Sequence, residues 1–164
     1  MQKKNFSPEE ALSRLEARCA ACEMCVSEVV AKLNSWGIYG TDAEAVVDRL
    51  KNAGHIDEYR YARAFVNDKS KFSKWGKTKI KQSLSAKRIP SEYIESAFAD
   101  FDYDRESTTL YDLLSKKSKT FKPGTKSYDA FAKLVRFGVS RGFDYSTVYS
   151  AAKKLCLRND EFEE

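Results

Sequence analysis

A period of about fifty residues recurs three times along this 164-residue chain. Each unit opens with apolar residues at positions i, i+1 and i+4: Ala11, Leu12 and Leu15; Tyr61, Ala62 and Phe65; Leu110, Tyr111 and Leu114. A second apolar pair, nine residues apart, follows in each unit: Val29 and Ile38, Ile80 and Ile89, Leu134 and Phe143. A period of this length is typical of stacked supersecondary units that cannot bury their apolar faces alone. Such arrays more often form binding surfaces than enzymes.

The low content of helix-breaking residues favours helices, because the chain has only seven glycines and three prolines. The periodicity predicts nine helices, at residues 8–20, 25–36, 42–53, 57–72, 76–88, 91–101, 105–119, 127–140 and 144–156. We therefore predict an all-α fold of three tandem three-helix repeats that form an elongated, curved helical array. The predicted repeats are residues 1–56, residues 57–103 and residues 104–164, the last with a frayed acidic tail from Asn159.

Several helix ends are predicted from local motifs. Ser7-Pro8-Glu9-Glu10 and Thr41-Asp42-Ala43-Glu44 each match a capping box, and Asp57 can cap the fourth helix. Gly37 and Gly142 are placed where helices need a left-handed residue just after their last turn. Pro123-Gly124 predicts a turn inside the third repeat.

Charge is distributed unevenly over the three repeats. The net formal charge is +5, made of −1 in residues 1–56, +3 in residues 57–103 and +3 in residues 104–164. From Lys69 to Ser91 there are eight basic residues and no acidic one. If residues 76–88 form one helix, Lys77, Lys81 and Arg88 lie along one stripe. A polyanionic partner, nucleic acid above all, fits this pattern.

Aromatic residues are interleaved with the basic run, namely Tyr59, Tyr61, Phe72 and Trp75. Lysines release counterions from a phosphate backbone, and exposed aromatic side chains can stack on bases. The alternative is a solvated helix face above core aromatics. A second basic run, formed by Lys116, Lys117, Lys119, Lys122 and Lys126, is placed on a predicted loop.

The four cysteines raise the alternative of a metal or redox protein. Cys19, Cys22 and Cys25 have the spacing C-x2-C-x2-C, with Cys156 as a possible fourth thiolate. If this stretch is helical, however, the three side chains spread over about 240° of the helix surface and cannot meet at one ion. We therefore expect small core-packing cysteines, no metal and no cofactor.

Other catalytic signatures are missing from the sequence. His55 is the only histidine and lies in a connection between helices, where we expect a capping or surface role. There is no Walker-type loop or nucleophile elbow, so we expect no catalytic residues. Without a secretory signal or a spanning segment, the expected location is the cytoplasm, with the cysteines reduced.

The segment from Asn52 to Ile89 resembles the RecX family. It contains Asp57-Glu58, Tyr61-Ala62, Trp75-Gly76, then Ile80 and Leu84, ending in Lys87-x-Ile89. Arg88 departs from the glycine common in the family, so this helix is expected to end differently from those at Gly37 and Gly142. The cysteines from Cys19 to Cys25 also depart from the family pattern.

The resemblance implies a monomeric, non-enzymatic modulator of the recombinase RecA in homologous recombination, DNA repair and the SOS response. Such a protein lies in the groove of the RecA–DNA filament and limits strand exchange, ATP hydrolysis and stimulated repressor cleavage. Its DNA contact, single- or double-stranded, is made within the filament or weakly with DNA alone, and no membrane is involved. The residues expected to contact the filament are Lys69, Lys71, Lys74, Lys77, Lys79, Lys81, Lys87 and Arg88. The alternative is a general nucleic-acid-binding helical-repeat protein without a dedicated protein partner.

Overall fold

The computed structural model of this protein describes residues 6–160, which form nine helices and no strand. The predicted all-α class is therefore confirmed for the described residues. The helices are α1 (Pro8–Ala21), α2 (Val26–Ser35), α3 (Gly40–Asn52), α4 (Glu58–Lys71), α5 (Lys77–Ala86), α6 (Ser91–Ala97), α7 (Tyr103–Ser118), α8 (Ser127–Ser140) and α9 (Tyr145–Asp160). Helix α9 continues beyond the predicted start of the acidic tail, and residues 161–164 of that tail lie outside the described residues.

The helices are grouped into two compact units. Unit 1 takes its described residues from Met1–Phe65 and Leu84–Ala99, and unit 2 from Val66–Ser83 and Asp100–Glu164. Helices α4 and α5 each contribute residues to both units. The boundaries proposed for the three repeats, and the curvature of the array, stay predictions.

Each unit has its own apolar core. In unit 1, helix α3 packs against α1 and α2, and Leu15, Leu33 and Leu50 are completely buried between them. In unit 2, helices α7, α8 and α9 pack against one another around Leu114 and Val148. The first and third apolar triplets contribute to these cores. In the second triplet Tyr61 and Ala62 are buried, but Phe65 is only half-buried and its neighbour Val66 is buried instead.

The nine-residue apolar pairs mark the same helix ending in all three repeats. After the middle helix of each repeat, an apolar residue donates its backbone N–H to a carbonyl five residues earlier. These hydrogen bonds are Ile38 to Leu33 (3.0 Å), Ile89 to Leu84 (3.2 Å) and Phe143 to Gly138 (3.3 Å). This is the Schellman motif, which needs a left-handed residue just before the donor. Gly37 (φ 83°) and Gly142 (φ 89°) provide it, as predicted.

The expectation that α5 ends differently is wrong. Arg88 takes the left-handed conformation itself, with φ 61°, and its N–H donates to the Ser85 carbonyl at 2.9 Å. The same helix ending, which leads into buried Ile89, is therefore kept despite the steric cost that a side chain pays in this conformation.

The predicted helix starts are correct in two cases of three. Both hydrogen bonds of the Ser7–Glu10 capping box are present, and Asp57 accepts the Arg60 N–H at 2.9 Å. The capping box at Thr41 is wrong, because α3 already begins at Gly40, after the N-cap residue Tyr39. Gly40 has φ 55°, a conformation that suits glycine, and so carries the chain into the helix before Thr41.

Candidate nucleic-acid interface

The basic segment of unit 2, here residues 69–81, consists of the end of α4, a short connection and the start of α5. Helix α4 ends at Lys71, and the N–H of Trp75 donates back to the Lys69 carbonyl at 2.9 Å. Lys74 has a left-handed backbone, with φ 54°. The chain thereby turns within five residues, which brings the lysines at the end of α4 close to those at the start of α5.

The turn is attached to the end of α8 by a close approach of two glycines. The N–H of Gly76 donates to the Arg141 carbonyl at 2.9 Å, and that of Thr78 donates to the Gly142 carbonyl at 3.0 Å. A Cβ atom on Gly76 would lie 2.3 Å from the carbonyl carbon of Gly142. The Arg141 guanidinium also donates to the Ser73 carbonyl at 2.8 Å. The backbone that carries the basic segment is therefore attached to the end of α8 by these hydrogen bonds.

Two lysines of the basic segment lie over the indole ring of Trp75. The ammonium of Lys79 lies 4.5 Å from the centre of the indole and that of Lys69 lies 5.1 Å from it. Cation–π attraction of this kind contributes about 0.5–1 kcal/mol at exposed sites. The half-buried Trp75 thus organises positive charge, and it is less suited to base stacking than the sequence suggested.

Lys77 begins α5 and is tied to α7. Its backbone N–H donates to the Glu106 carboxylate at 2.8 Å, and its ammonium lies over the Tyr103 ring, 4.8 Å from the centre, and hydrogen-bonds the phenol oxygen. Burial raises the pKa of the Glu106 carboxyl, and the Lys77 N–H and ammonium counteract only part of this increase. Lys77 therefore has a structural role in addition to any contact with a ligand.

Lys71 and Lys74 are the exposed lysines of the segment, and Phe72 is its exposed aromatic residue. Phe72 has an exposed fraction of 79%. Lys81 is half-buried on α5. Single-stranded nucleic acids are bound in general by aromatic stacking combined with positive charge, and this part of the segment has both features.

Lys87 is not an accessible cation of this segment, because it forms an ion pair inside unit 1. Its ammonium lies 2.6 Å from the Glu28 carboxylate, which also accepts the Tyr61 hydroxyl at 3.0 Å. Burial opposes ionisation of Glu28, but the hydrogen bonds from Lys87 and Tyr61 outweigh it, so its pKa is lowered. Tyr61 is itself buried, which raises its pKa and rules out the stacking role suggested by the sequence.

Arg88 does not lie on the predicted stripe with Lys77 and Lys81. Helix α5 ends at Ala86, so Arg88 follows the helix rather than continuing its surface. Arg88 is exposed and belongs to unit 1, whereas residues 69–81 belong to unit 2.

The net positive charge of the chain lies in unit 2. By sequence, unit 2 carries 18 basic and 12 acidic residues, for +6, while unit 1 carries 11 and 12, for −1. Part of the +6 comes from the second basic run. Contrary to the loop prediction, Lys116 and Lys117 lie on α7, while Lys119, Lys122 and Lys126 lie in the connection to α8.

The cysteines at the end of α1 do not lie on one helix. Cys19 is in the last turn of α1, Cys22 is its C-cap and Cys25 is the N-cap of α2. Cys25 is buried as expected, but Cys22 is exposed rather than packed in the core. Among the described residues, no three histidine, cysteine or acidic side chains are grouped as a metal site requires.

The described residues thus form an all-helical protein built from short units, with a cationic surface segment on unit 2. Within residues 6–160, no helix is long and apolar enough to cross a bilayer. A family model described as "RecX, second three-helix domain" matches residues 57–97. Curated relatives named "Regulatory protein RecX" are also 32% identical to this chain over at least 75% of its length, and the chain belongs to the RecX family.

Several curated relatives carry the name "Regulatory protein RecX". The relative from Clostridium botulinum (strain Alaska E43 / Type E3) is 32% identical over 127 residues, which cover 75% of this chain and 58% of the relative. The relative from Clostridium tetani is 32% identical over 132 residues, or 78% of this chain and 59% of the relative. The matched part of the chain thus spans somewhat more than half the length of these relatives, which are named regulatory proteins rather than enzymes.

Two solved structures share the fold. A crystal structure of regulatory protein RecX has a TM-score of 0.79 and 22% identity, covering 90% of this chain and 73% of the other. The RecX structure from Lactobacillus salivarius has a TM-score of 0.74 and 19% identity, covering 92% and 97%. These similarities confirm the helical fold that the sequence predicted.

Proposed function

We propose that this chain binds the RecA–DNA filament and inhibits its recombinase, ATPase and coprotease activities. The observation that carries the proposal is the basic segment of unit 2, where Lys71 and Lys74 flank the exposed Phe72. Membership of the RecX family supports RecA as the protein partner, and the charge of +6 on unit 2 suits the DNA inside the filament.

In this proposal the protein acts by occupying a surface rather than by chemistry. Lys69 and Lys79, held over Trp75, add fixed positive charge beside the accessible lysines. A monomer bound along the DNA strand obstructs the movement of a second strand and the turnover of RecA protomers. The site of action is the cytoplasm, where the recombination filament forms.

The direct test is a RecA ATPase and strand-exchange assay with increasing amounts of the protein. We expect both activities to decrease as the protein approaches the concentration of filament sites. Unchanged rates at saturating protein would contradict the proposal.

A charge-reversal pair tests the basic segment itself. The double substitution Lys71→Glu with Lys74→Glu removes two exposed cations. For duplex DNA, each lost phosphate contact reduces the slope of log affinity against log salt concentration by about 0.9. Lys153→Glu with Lys154→Glu is the matched control, since these exposed lysines lie on α9 of the same unit and change the net charge equally. Equal effects of the two pairs would show that total charge, and not the segment, governs binding.

The alternative, a general nucleic-acid-binding protein, is separated by comparing filaments with bare DNA at one salt concentration. Stronger binding to filaments supports a dedicated RecA contact. Equal affinity for both would instead support the alternative.

A further inference from the structure

A groove on unit 1 combines cations, amide and hydroxyl groups, and an apolar floor. Its volume is about 530 Å³, and it runs along α2. Exposed Lys51 and Arg88 line it together with Ser27 and Asn34, while Val26 and Val30 form the apolar part. None of these residues belongs to the basic segment of unit 2.

The charge of the groove is positive. Three basic side chains and one carboxylate line it, namely those of Lys51, Lys87 and Arg88 and that of Glu58. Glu58 accepts the Val26 N–H at 3.3 Å, at the start of α2, and Lys87 is paired with Glu28. The two cations that remain most accessible are therefore Lys51 and Arg88.

Arg88 occupies a backbone conformation that is costly for an arginine. Its φ of 61° lies in the left-handed region, which is sterically unfavourable for a residue with a Cβ atom and which glycine adopts without strain. Among the described residues, the non-glycine residues with positive φ are Arg88 and Lys74, and both are exposed cations. Strain of this kind is typical of functional positions.

We propose that Arg88 and Lys51 form a phosphate-binding site that holds the backbone of a nucleic-acid strand in the α2 groove. Ser27 and Asn34 offer hydrogen bonds to phosphate or sugar oxygens, and the valine floor suits the apolar face of the sugar. The site adds a contact on unit 1 to the basic segment of unit 2, and it rests on the proposed function in taking DNA as the ligand.

Arg88→Gly separates the function of the side chain from the stability of the fold. Glycine removes the guanidinium and relieves the left-handed strain, so the melting temperature should stay unchanged or increase by a few degrees. Binding of a single-stranded DNA 20-mer should weaken about 5-fold at about 0.1 M salt, with a salt slope smaller by about 0.7, as one lost phosphate contact predicts. Arg88→Lys, which keeps the charge, should retain most of the affinity.

Lys51→Ala provides a second measurement that does not depend on the helix end. We expect a similar 5-fold loss, and about 25-fold for the double variant with Arg88→Gly, because the two contacts are separate. Arg49→Ala is the control, an exposed cation on the same helix α3 that does not line the groove.

The outcomes distinguish this site from the proposed function. Wild-type affinity and salt slope in both Arg88→Gly and Lys51→Ala would overturn the groove site, as would a loss equal to that of Arg49→Ala. Absence of 20-mer binding by the wild-type protein would overturn it as well. Co-sedimentation with RecA filaments tests the proposed function separately, because a filament contact made through RecA survives all of these results.

Discussion

The contact between Gly76 and Gly142 predicts an unusually damaging Gly→Ala substitution. A Cβ atom at Gly76 would lie 2.3 Å from the carbonyl carbon and oxygen of Gly142 and 2.4 Å from the Phe143 nitrogen. All three are backbone atoms, which cannot rotate away. Ordinary contacts need at least 3.4 Å, so the start of α5 and the end of α8 must separate by about 1 Å.

The cost follows from what this separation breaks. It stretches the hydrogen bonds from Gly76 to Arg141 (2.9 Å) and from Thr78 to Gly142 (3.0 Å), each contributing about 0.5–1.5 kcal/mol. Overpacking adds about 1–3 kcal/mol. We expect the free energy of unfolding to decrease by about 4 kcal/mol and the melting temperature by about 8–16 °C.

The assay is urea unfolding followed by circular dichroism, with Gly124→Ala as the matched control in the same unit. Gly124 has φ 79°, but no other atom lies within 4 Å of the position that a Cβ would take, so this variant loses only roughly 1 kcal/mol to left-handed strain. If Gly76→Ala loses no more than Gly124→Ala, the close approach does not stabilise unit 2. Gly76→Ala should also weaken filament binding, because the basic segment is attached through the contact of Gly76 with Gly142.

Three further substitutions test other parts of the structure. Glu28→Gln should lower the free energy of unfolding by about 1 kcal/mol near neutral pH, since its partners are partly exposed. The pKa of Glu28 is lowered in the folded protein, so the difference in free energy of unfolding between wild type and variant is present above the ordinary pKa of glutamate. It should vanish as the pH falls through the pKa of the folded state, and a constant difference down to acid pH would contradict the ion pair. Phe72→Ala should leave thermal stability unchanged because the ring is exposed, yet lower the affinity for single-stranded DNA by about 1–3 kcal/mol if the ring stacks on a base; unchanged affinity excludes stacking. Ser7→Ala removes a capping hydrogen bond and should cost about 1 kcal/mol in urea unfolding, while Ser13→Ala, at an exposed position inside α1, should cost less.

Much of the helical framework could be predicted from local patterns. The apolar pair Ile80 and Ile89 and its equivalents follow from the sequence alone, because one helix and its Schellman ending impose the same spacing in every repeat. The capping box at Ser7 is local too. The predicted capping box at Thr41 is wrong because α3 begins one residue earlier, at Gly40, whose positive φ suits glycine.

The sequence predicts which basic residues the candidate site contains, but not which of them are paired with acidic residues. The lysines from Lys69 to Lys81 lie close together in the sequence, which by itself shows their combined charge. Lys87 belongs to the same acid-free run, yet its partner Glu28 is 59 residues away, and no local signal indicates that pair. The α2 groove likewise combines Lys51 and Arg88 from separate helix ends.

The amino-acid sequence by itself determined the helices, their period and the total positive charge, because propensity, capping and apolar spacing act over a few residues. Only the tertiary structure decided which cations are paired and which are exposed, and that the charge gathers on unit 2. It also decided that Arg88 takes a glycine conformation and that Gly76 must remain glycine. These properties depend on contacts between residues far apart in the chain, whose energies outweigh local preference.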